Sequence, residues 1–281
     1  MSDVTWLVGN ELPGSWSSER ACQFGDGLFE TVAVIEGSPC LWSQHLQRLL
    51  LGCERLSLPK PDTGRLEKEC SQICKDVEQA VLKIFWTAGN SLRGYRRPAE
   101  VRPTCLLQIS PWMRPADDDT WRLTLCNYRL SENPVLAGIK HLNRLDQVLG
   151  RNEWLEQDID EGLMRSQDGS VVCGTMSNIV VERAGQLTTP AIQGAGVCGV
   201  VRDCLLEQGQ RHNMPVQVQE LLVSDVQTAD AVYMMNALIG VRRVSRFDDV
   251  SFDLDRPSPT LIDSVRRLVF RPTFSSGERS A

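Results

Sequence analysis

The chain has 281 residues, with 30 Lys and Arg against 36 Asp and Glu, for a net charge of −6. That length buries a large core and predicts two domains. The acidic balance argues against a nucleic-acid surface, although Arg93, Arg96, Arg97 and Arg102 form a local basic cluster suited to an anionic substrate. Ten scattered cysteines with no C-x-x-C pair, beside three histidines, read as reduced packing thiols and not as a metal set. The amino terminus has no basic segment followed by an apolar core, and no run of eighteen apolar residues occurs, so the expectation is a soluble, cytoplasmic protein.

In chain order, residues 29–36 and 39–42 read as strands flanking a turn at Gly37-Ser38. Ser43 then caps a helix with the stripe Leu46, Leu49, Leu50, Cys53 and Leu56, and a second helix is expected over 62–80. Strands at 81–86 and 104–110 follow, and the prolines and acidic run of 111–120 read as an interdomain linker. Beyond it come a strand at 121–129, a turn carrying Lys140, a helix over 143–156 and strands at 161–166 and 170–174. A hairpin over 177–189 turns at Ala184-Gly185. Glycine-rich 194–199 feeds a helix over 200–210, and the chain closes with strands at 215–223 and 231–236 and a helix over 259–269. This order predicts an α+β protein with a smaller domain at 1–110 and a larger one at 121–281 that carries Lys140.

Three features bear on chemistry. Lysine is suited to Schiff-base formation with a carbonyl cofactor, although a single turn lysine is ordinarily just solvated. The glycines ahead of Val200 allow close backbone approach, and the first amides of the helix can hold a phosphate, yet alone the segment reads as an ordinary loop-to-helix junction. Arg48 lies off the apolar stripe with His45 and Arg55, which reads as a solvated face, but its planar fork suits a phosphate.

Together the residues resemble a known family. Phe24-Gly25-Asp26-Gly27-Leu28-Phe29-Glu30-Thr31, His45-Leu46-Gln47-Arg48-Leu49, Arg93-Gly94-Tyr95, Gly138-Ile139-Lys140-His141-Leu142-Asn143-Arg144-Leu145 and Ser177-Asn178 occur in the order and spacing seen in aminodeoxychorismate lyases. These are fold type IV pyridoxal-phosphate enzymes of the branched-chain aminotransferase class. The resemblance implies a homodimeric enzyme that converts 4-amino-4-deoxychorismate to 4-aminobenzoate and pyruvate, a step towards folate. It implies that a smaller N-terminal α/β domain precedes a larger mixed-sheet one, and that Lys140 is the Schiff-base lysine. Arg48, Asn178, Gly199, Val200, Val201, Asn236 and Ala237 are implied at the cofactor, and Thr31, Arg93, Tyr95 and Arg144 at the substrate, Arg144 near where relatives place a partner for the cofactor's phenolic oxygen. Cys173 falls where relatives carry a glutamate that pairs with the pyridine nitrogen. Three readings of that exchange stay open: a lyase, another pyridoxal-phosphate reaction that tolerates a weaker electron sink, or a pyridoxal-phosphate-binding relative with little turnover; the rival enzyme within the class is a branched-chain or D-amino-acid aminotransferase. The segment before Arg93 also lacks an arginine and two glycines usual in the family loop.

Overall fold

A computed structural model describes residues 5–8, 16–91, 93–155 and 158–273. They fall into two compact units, the first made of the described parts of Met1–Arg114, Ile139–Asn143 and Phe270–Ala281, the second of Pro115–Gly138 and Arg144–Val269. The sequence expectation gave all of 121–281 to the larger domain, whereas Lys140 and its immediate neighbours belong to the first unit.

The first unit contains β1 (Thr5–Val8), α1 (Arg20–Phe24), β2 (Gly27–Ile35), β3 (Ser38–Pro39), α2 (Trp42–Arg55), α3 (Thr63–Cys74), β4 (Gln79–Thr87) and β5 (Thr104–Pro111). Its sheet runs β1-β5-β4-β2-β3. Glu36 and Gly37 both take positive φ, at 50° and 75°, so the β2–β3 connection is built from two left-handed residues, as tight hairpins favour. Along β2, Leu28, Glu30, Val32 and Val34 share one face and are all buried. On α2, Gly52 lets the helix approach that face: a Cβ there would sit 2.8 Å from the Leu28 methyls.

Two expected boundaries shift. Leu41, itself left-handed at φ 50°, occupies the N-cap of α2 and makes no side-chain cap bond, so Ser43 lies inside the first turn. Asp62 does cap α3, accepting from the Arg65 amide at 3.0 Å, but that helix ends at Cys74 because Gln79–Ile35 and Ala80–Pro111 pairing draws the following residues into β4. The Lys140 segment then adds to β2 in front of β3: the Phe29 amide donates to Lys140 O and the Leu142 amide to Gly27 O, both at 3.0 Å.

The second unit contains β6 (Thr120–Arg129), α4 (Leu145–Arg151), β7 (Glu161–Arg165), β8 (Val171–Gly174), β9 (Asn178–Arg183), β10 (Gln186–Pro190), α5 (Val200–Arg211), β11 (Gln217–Gln219), α6 (Val223–Gln227), β12 (Ala231–Asn236), β13 (Gly240–Phe247), β14 (Val250–Ser251) and α7 (Thr260–Val269). The sheet runs β11-β10-β9-β12-β13-β6-β7-β8, with β14 on β13. It mixes parallel pairs (β10/β11, β13/β6, β6/β7) with antiparallel ones, in keeping with the α+β expectation. Ile179, Val181, Val232, Met234, Val244 and Phe247 form its buried core. Strand β13 was not foreseen, since Arg242, Arg243 and Arg246 give it a polar pattern. Arg242 is nevertheless 1% exposed, its guanidinium donating to Ile239 O at 2.7 Å and to the backbone of Pro115 and Ala116. Helix α4 is shorter than the expected 143–156, and the 215–223 strand reduces to β11 followed by α6.

Candidate functional site

In the first unit the sequence-selected amine is oriented by β2. Lys140 Nζ lies 4.3 Å from the centre of the Phe29 ring, which stacks on Phe85 of β4 at 6.2 Å. An ammonium over an aromatic face is attracted by the ring quadrupole, so Phe29 fixes where the amine points. Thr31 shares that face of β2 by the two-residue alternation and is partly exposed.

On the opposite face Glu30 gathers two cationic or potentially cationic groups from α2. Its Oε1 accepts from Arg48 Nε at 2.8 Å, and its Oε2 accepts from Arg48 Nη2 at 2.5 Å and lies 2.6 Å from His45 Nδ1. Glu30 and His45 are each 1% exposed. Burial alone would raise the Glu30 carboxyl, but the charge and fork of Arg48, with the bond from His45, hold it down at about 2. Burial pushes the His45 imidazole below its ordinary range despite Glu30, so the ring is neutral and donates through Nδ1; the charge of Lys140 is felt there as well. His45 is thus a buried partner and not part of a solvated face; of that trio Arg55 is the exposed one. The sequence reading missed Glu30, although a His and an Arg three positions apart on a helix, facing a glutamate on a strand, was a legible signal.

Arg93 and Tyr95 stand on an exposed loop, Tyr95 at 87%. In the second unit, Asn178 begins β9 and ties down the turn ahead of α5: its Nδ2 donates to Val197 O at 2.9 Å, and its Oδ1 would be 2.0 Å from a Cβ at Gly199. Gly199 is the N-cap of α5 and has no side chain to cap with, while Val200 and Val201 supply first-turn amides that the helix itself cannot satisfy. Asn236 closes the β12–β13 turn, accepting from the Leu238 and Ile239 amides at 2.8 and 2.9 Å and donating to Met176 O at 3.1 Å; Ala237 lies inside that turn. The side chains of Asn178 and Asn236 therefore shape the backbone around them.

Cys173, on β8, is 5% exposed, and burial with the nearby Glu161 charge pushes its thiol up to about 12, with Arg144 acting in the other direction. Glu161 is fully buried and was not foreseen. Its two oxygens accept from the amides of Gly162, Thr175 and Met176 and from the hydroxyls of Thr175 and Ser177, at 2.5–3.2 Å, so its acceptor capacity is spent on the 174–177 turn.

The amino-transferase class IV family matches residues 27–247. The chain belongs to that family. An aminodeoxychorismate lyase of Vibrio harveyi is 32% identical over 258 residues, covering 90% of this chain and 94% of its own length. The crystal structure of 4-amino-4-deoxychorismate lyase from Pseudomonas aeruginosa superposes with a TM-score of 0.81 at 37% identity, covering 92% of this chain and 94% of that one. The branched-chain amino acid aminotransferase of Escherichia coli shares the fold, with a TM-score of 0.78 at 19% identity over 89% and 86% of the two chains.

As a class IV member the chain offers a donor set that fits a phosphorylated aldehyde. Within the first unit Lys140 supplies a primary amine and Arg48 a guanidinium whose orientation is fixed; within the second, taken by itself, Val200 and Val201 supply helix-start amides suited to an anion. A thiol pushed up to about 12 keeps its proton at neutral pH, so Cys173 offers a weak neutral donor where a carboxylate would offer a charge.

Proposed function

We propose that this chain is a pyridoxal-phosphate-dependent lyase that converts 4-amino-4-deoxychorismate to 4-aminobenzoate and pyruvate, a step towards folate. The observation that carries this reading is the lyase-like segment Gly138–Leu145, with Lys140 held over Phe29, in a chain 37% identical to a lyase of known structure. Bound pyridoxal phosphate supplies an electron sink for the substrate carbon that bears nitrogen. Lys140 would hold the cofactor at its aldehyde, and as a free amine it would take the proton from the substrate carbon that bears nitrogen. The electron pair then expels the enolpyruvyl oxygen as the ring becomes aromatic, and Lys140 returns a proton to the methylene carbon of the departing enol to give pyruvate. Arg48 and the Val200 and Val201 amides bind the phosphate; Gly199, Asn178, Asn236 and Ala237 shape the backbone around it. Thr31, Arg93 and Tyr95 meet the substrate, and Arg144 the phenolic oxygen of the cofactor.

Cys173 favours elimination over transamination. A neutral thiol would leave the ring nitrogen unprotonated and the ring a weaker electron sink, and a reaction driven by aromatisation needs less of that sink than one that must store the electrons on the cofactor. Exposed Leu145, Val148 and Leu149 on α4 support a homodimer, and ten cysteines present as thiols suit a reducing cytoplasm. The test is release of 4-aminobenzoate and pyruvate, in equal amounts, from enzymatically made substrate. Borohydride should fix the cofactor on Lys140 and not on Lys140→Arg. An amino acid converting the cofactor to its amine form, with no 4-aminobenzoate from the native chain, would replace the lyase by an aminotransferase.

A further inference from the structure

The loop that carries Arg93 and Tyr95 is exposed at its side chains yet clamped at its backbone. Arg20, at the start of α1, is 2% exposed and has every nitrogen of its guanidinium engaged. Nη1 donates to Ser91 Oγ at 3.0 Å and Gly94 O at 3.1 Å, Nη2 to Tyr95 O at 2.7 Å, and Nε to Asp26 Oδ2 at 2.8 Å. Asp26 accepts in turn from Arg97 Nε at 3.0 Å and from Arg97 Nη2, while Arg97 Nη1 reaches Leu56 O at 2.6 Å. Phe24 lies beneath, with the Arg20 guanidinium 4.9 Å from its ring centre and the Tyr95 ring 5.3 Å away. Burial opposes ionisation of Asp26, but Arg97 and Arg20 outweigh it and keep the carboxylate charged.

Arg20 is too fully committed to protein acceptors to bind a ligand itself. What it fixes is the carbonyls of Gly94 and Tyr95. Gly94, at φ +88°, has open space where a Cβ would stand, so no packing on that side restrains it. With one carboxylate shared between two guanidiniums, the cluster keeps a net positive charge beside exposed Arg93 and Arg96.

We propose that Arg20 and Asp26 are positioning residues that hold the Gly94–Tyr95 backbone so that Arg93, Tyr95 and Arg96 present a preformed cationic face to a carboxylate of the substrate. This rests on the lyase reading and deepens it: the clamp acts on substrate affinity and leaves the chemistry at Lys140 alone. A preordered loop spares the entropy of ordering it on binding, so loosening it raises KM far more than it lowers kcat.

The test compares Arg20→Lys and Asp26→Asn with the native holoenzyme by steady-state 4-aminobenzoate release and by hydrogen exchange of peptides covering 93–97. Lysine can still reach Asp26 but cannot fork to two carbonyls. The expected result for both variants is a KM raised about tenfold or more, kcat within about threefold, faster exchange in 93–97, and unchanged exchange in α5 and β12. Unchanged KM with unchanged loop exchange overturns the proposal. So does a fall in kcat accompanied by faster exchange throughout, which marks a purely structural role. Failure of the underlying lyase reading looks different: the native chain then gives no 4-aminobenzoate at all.

Discussion

Replacing Glu30 by glutamine tests whether a single buried carboxylate organises the anchor arginine. The fall of the Glu30 carboxyl from an ordinary 4.5 to about 2 corresponds to roughly 3 kcal/mol favouring the ionised, paired form. Because the folded value is the lower one, this stabilisation is complete above about pH 5 and is lost as pH falls towards 2, with about half gone near pH 3. Glutamine keeps the shape but offers Arg48 one neutral acceptor oxygen in place of a charged pair. The Arg48 charge, 9% exposed, is then left without its carboxylate, and such a loss is typically worth about 3–5 kcal/mol. Urea unfolding of the apoprotein should therefore show Glu30→Gln less stable by about 3 kcal/mol at pH 7, with the gap to the native chain narrowing to about half that by pH 3. In the holoenzyme the same change should weaken cofactor binding by at least about tenfold, measured by fluorescence titration, since the guanidinium loses its fixed orientation. A gap below about 0.5 kcal/mol at pH 7, or one that does not shrink on acidification, would refute the assignment of Glu30 as an ionised partner of Arg48.

Gly199→Ala places a methyl 2.0 Å from Asn178 Oδ1, so the buried amide must turn away and give up its bond to Val197 O; phosphate-dependent cofactor affinity should fall about tenfold, read by dialysis against pyridoxal phosphate. Eight buried thiols, at Cys40, Cys53, Cys70, Cys74, Cys105, Cys126, Cys173 and Cys204, are pushed well above the ordinary 9 by burial. Their folded values are the higher ones, so stability is full well below pH 9 and is lower by about 1.4 kcal/mol per thiol at pH 10, which predicts cooperative unfolding by about pH 10 in circular dichroism. Retention of native ellipticity at pH 11 would contradict it. Cys173→Glu should accelerate conversion of the cofactor to its amine form by an amino acid by about tenfold or more, because a carboxylate can hold the ring nitrogen protonated. An unchanged rate would mean that residue 173 does not face that nitrogen.

Strong local signals made much of the fold legible. The Ala184-Gly185 hairpin, the helix beginning at Val200 and the one ending at Val269 were written in turn residues and apolar period. What escaped were elements whose identity depends on partners far away in sequence. Strand β13 carries three arginines and becomes a strand because β12 and β6 flank it, with Arg242 finding carbonyls at 115, 116 and 239 that no local pattern could announce. The site divides in the same way. Lys140 and Arg48 were visible as residue types in ordered motifs, but the groups that orient them, Phe29 and Glu30, were legible only as part of a strand. Adjacent residues on β2 point to opposite faces, so one dipeptide serves two tasks: Phe29 sets the amine and Glu30 sets the guanidinium. The same logic separates Cys173 from Glu161. A buried acid close enough to raise the Cys173 thiol invites the idea that it replaces the absent glutamate, yet its oxygens already serve five donors of the 162 and 175–177 backbone and hydroxyls. Turning it towards any ring would leave those buried donors unpaired, at about 1–3 kcal/mol each. Glu161 is therefore a scaffold for the turn, and it leaves the Cys173 thiol as a neutral, buried group on β8.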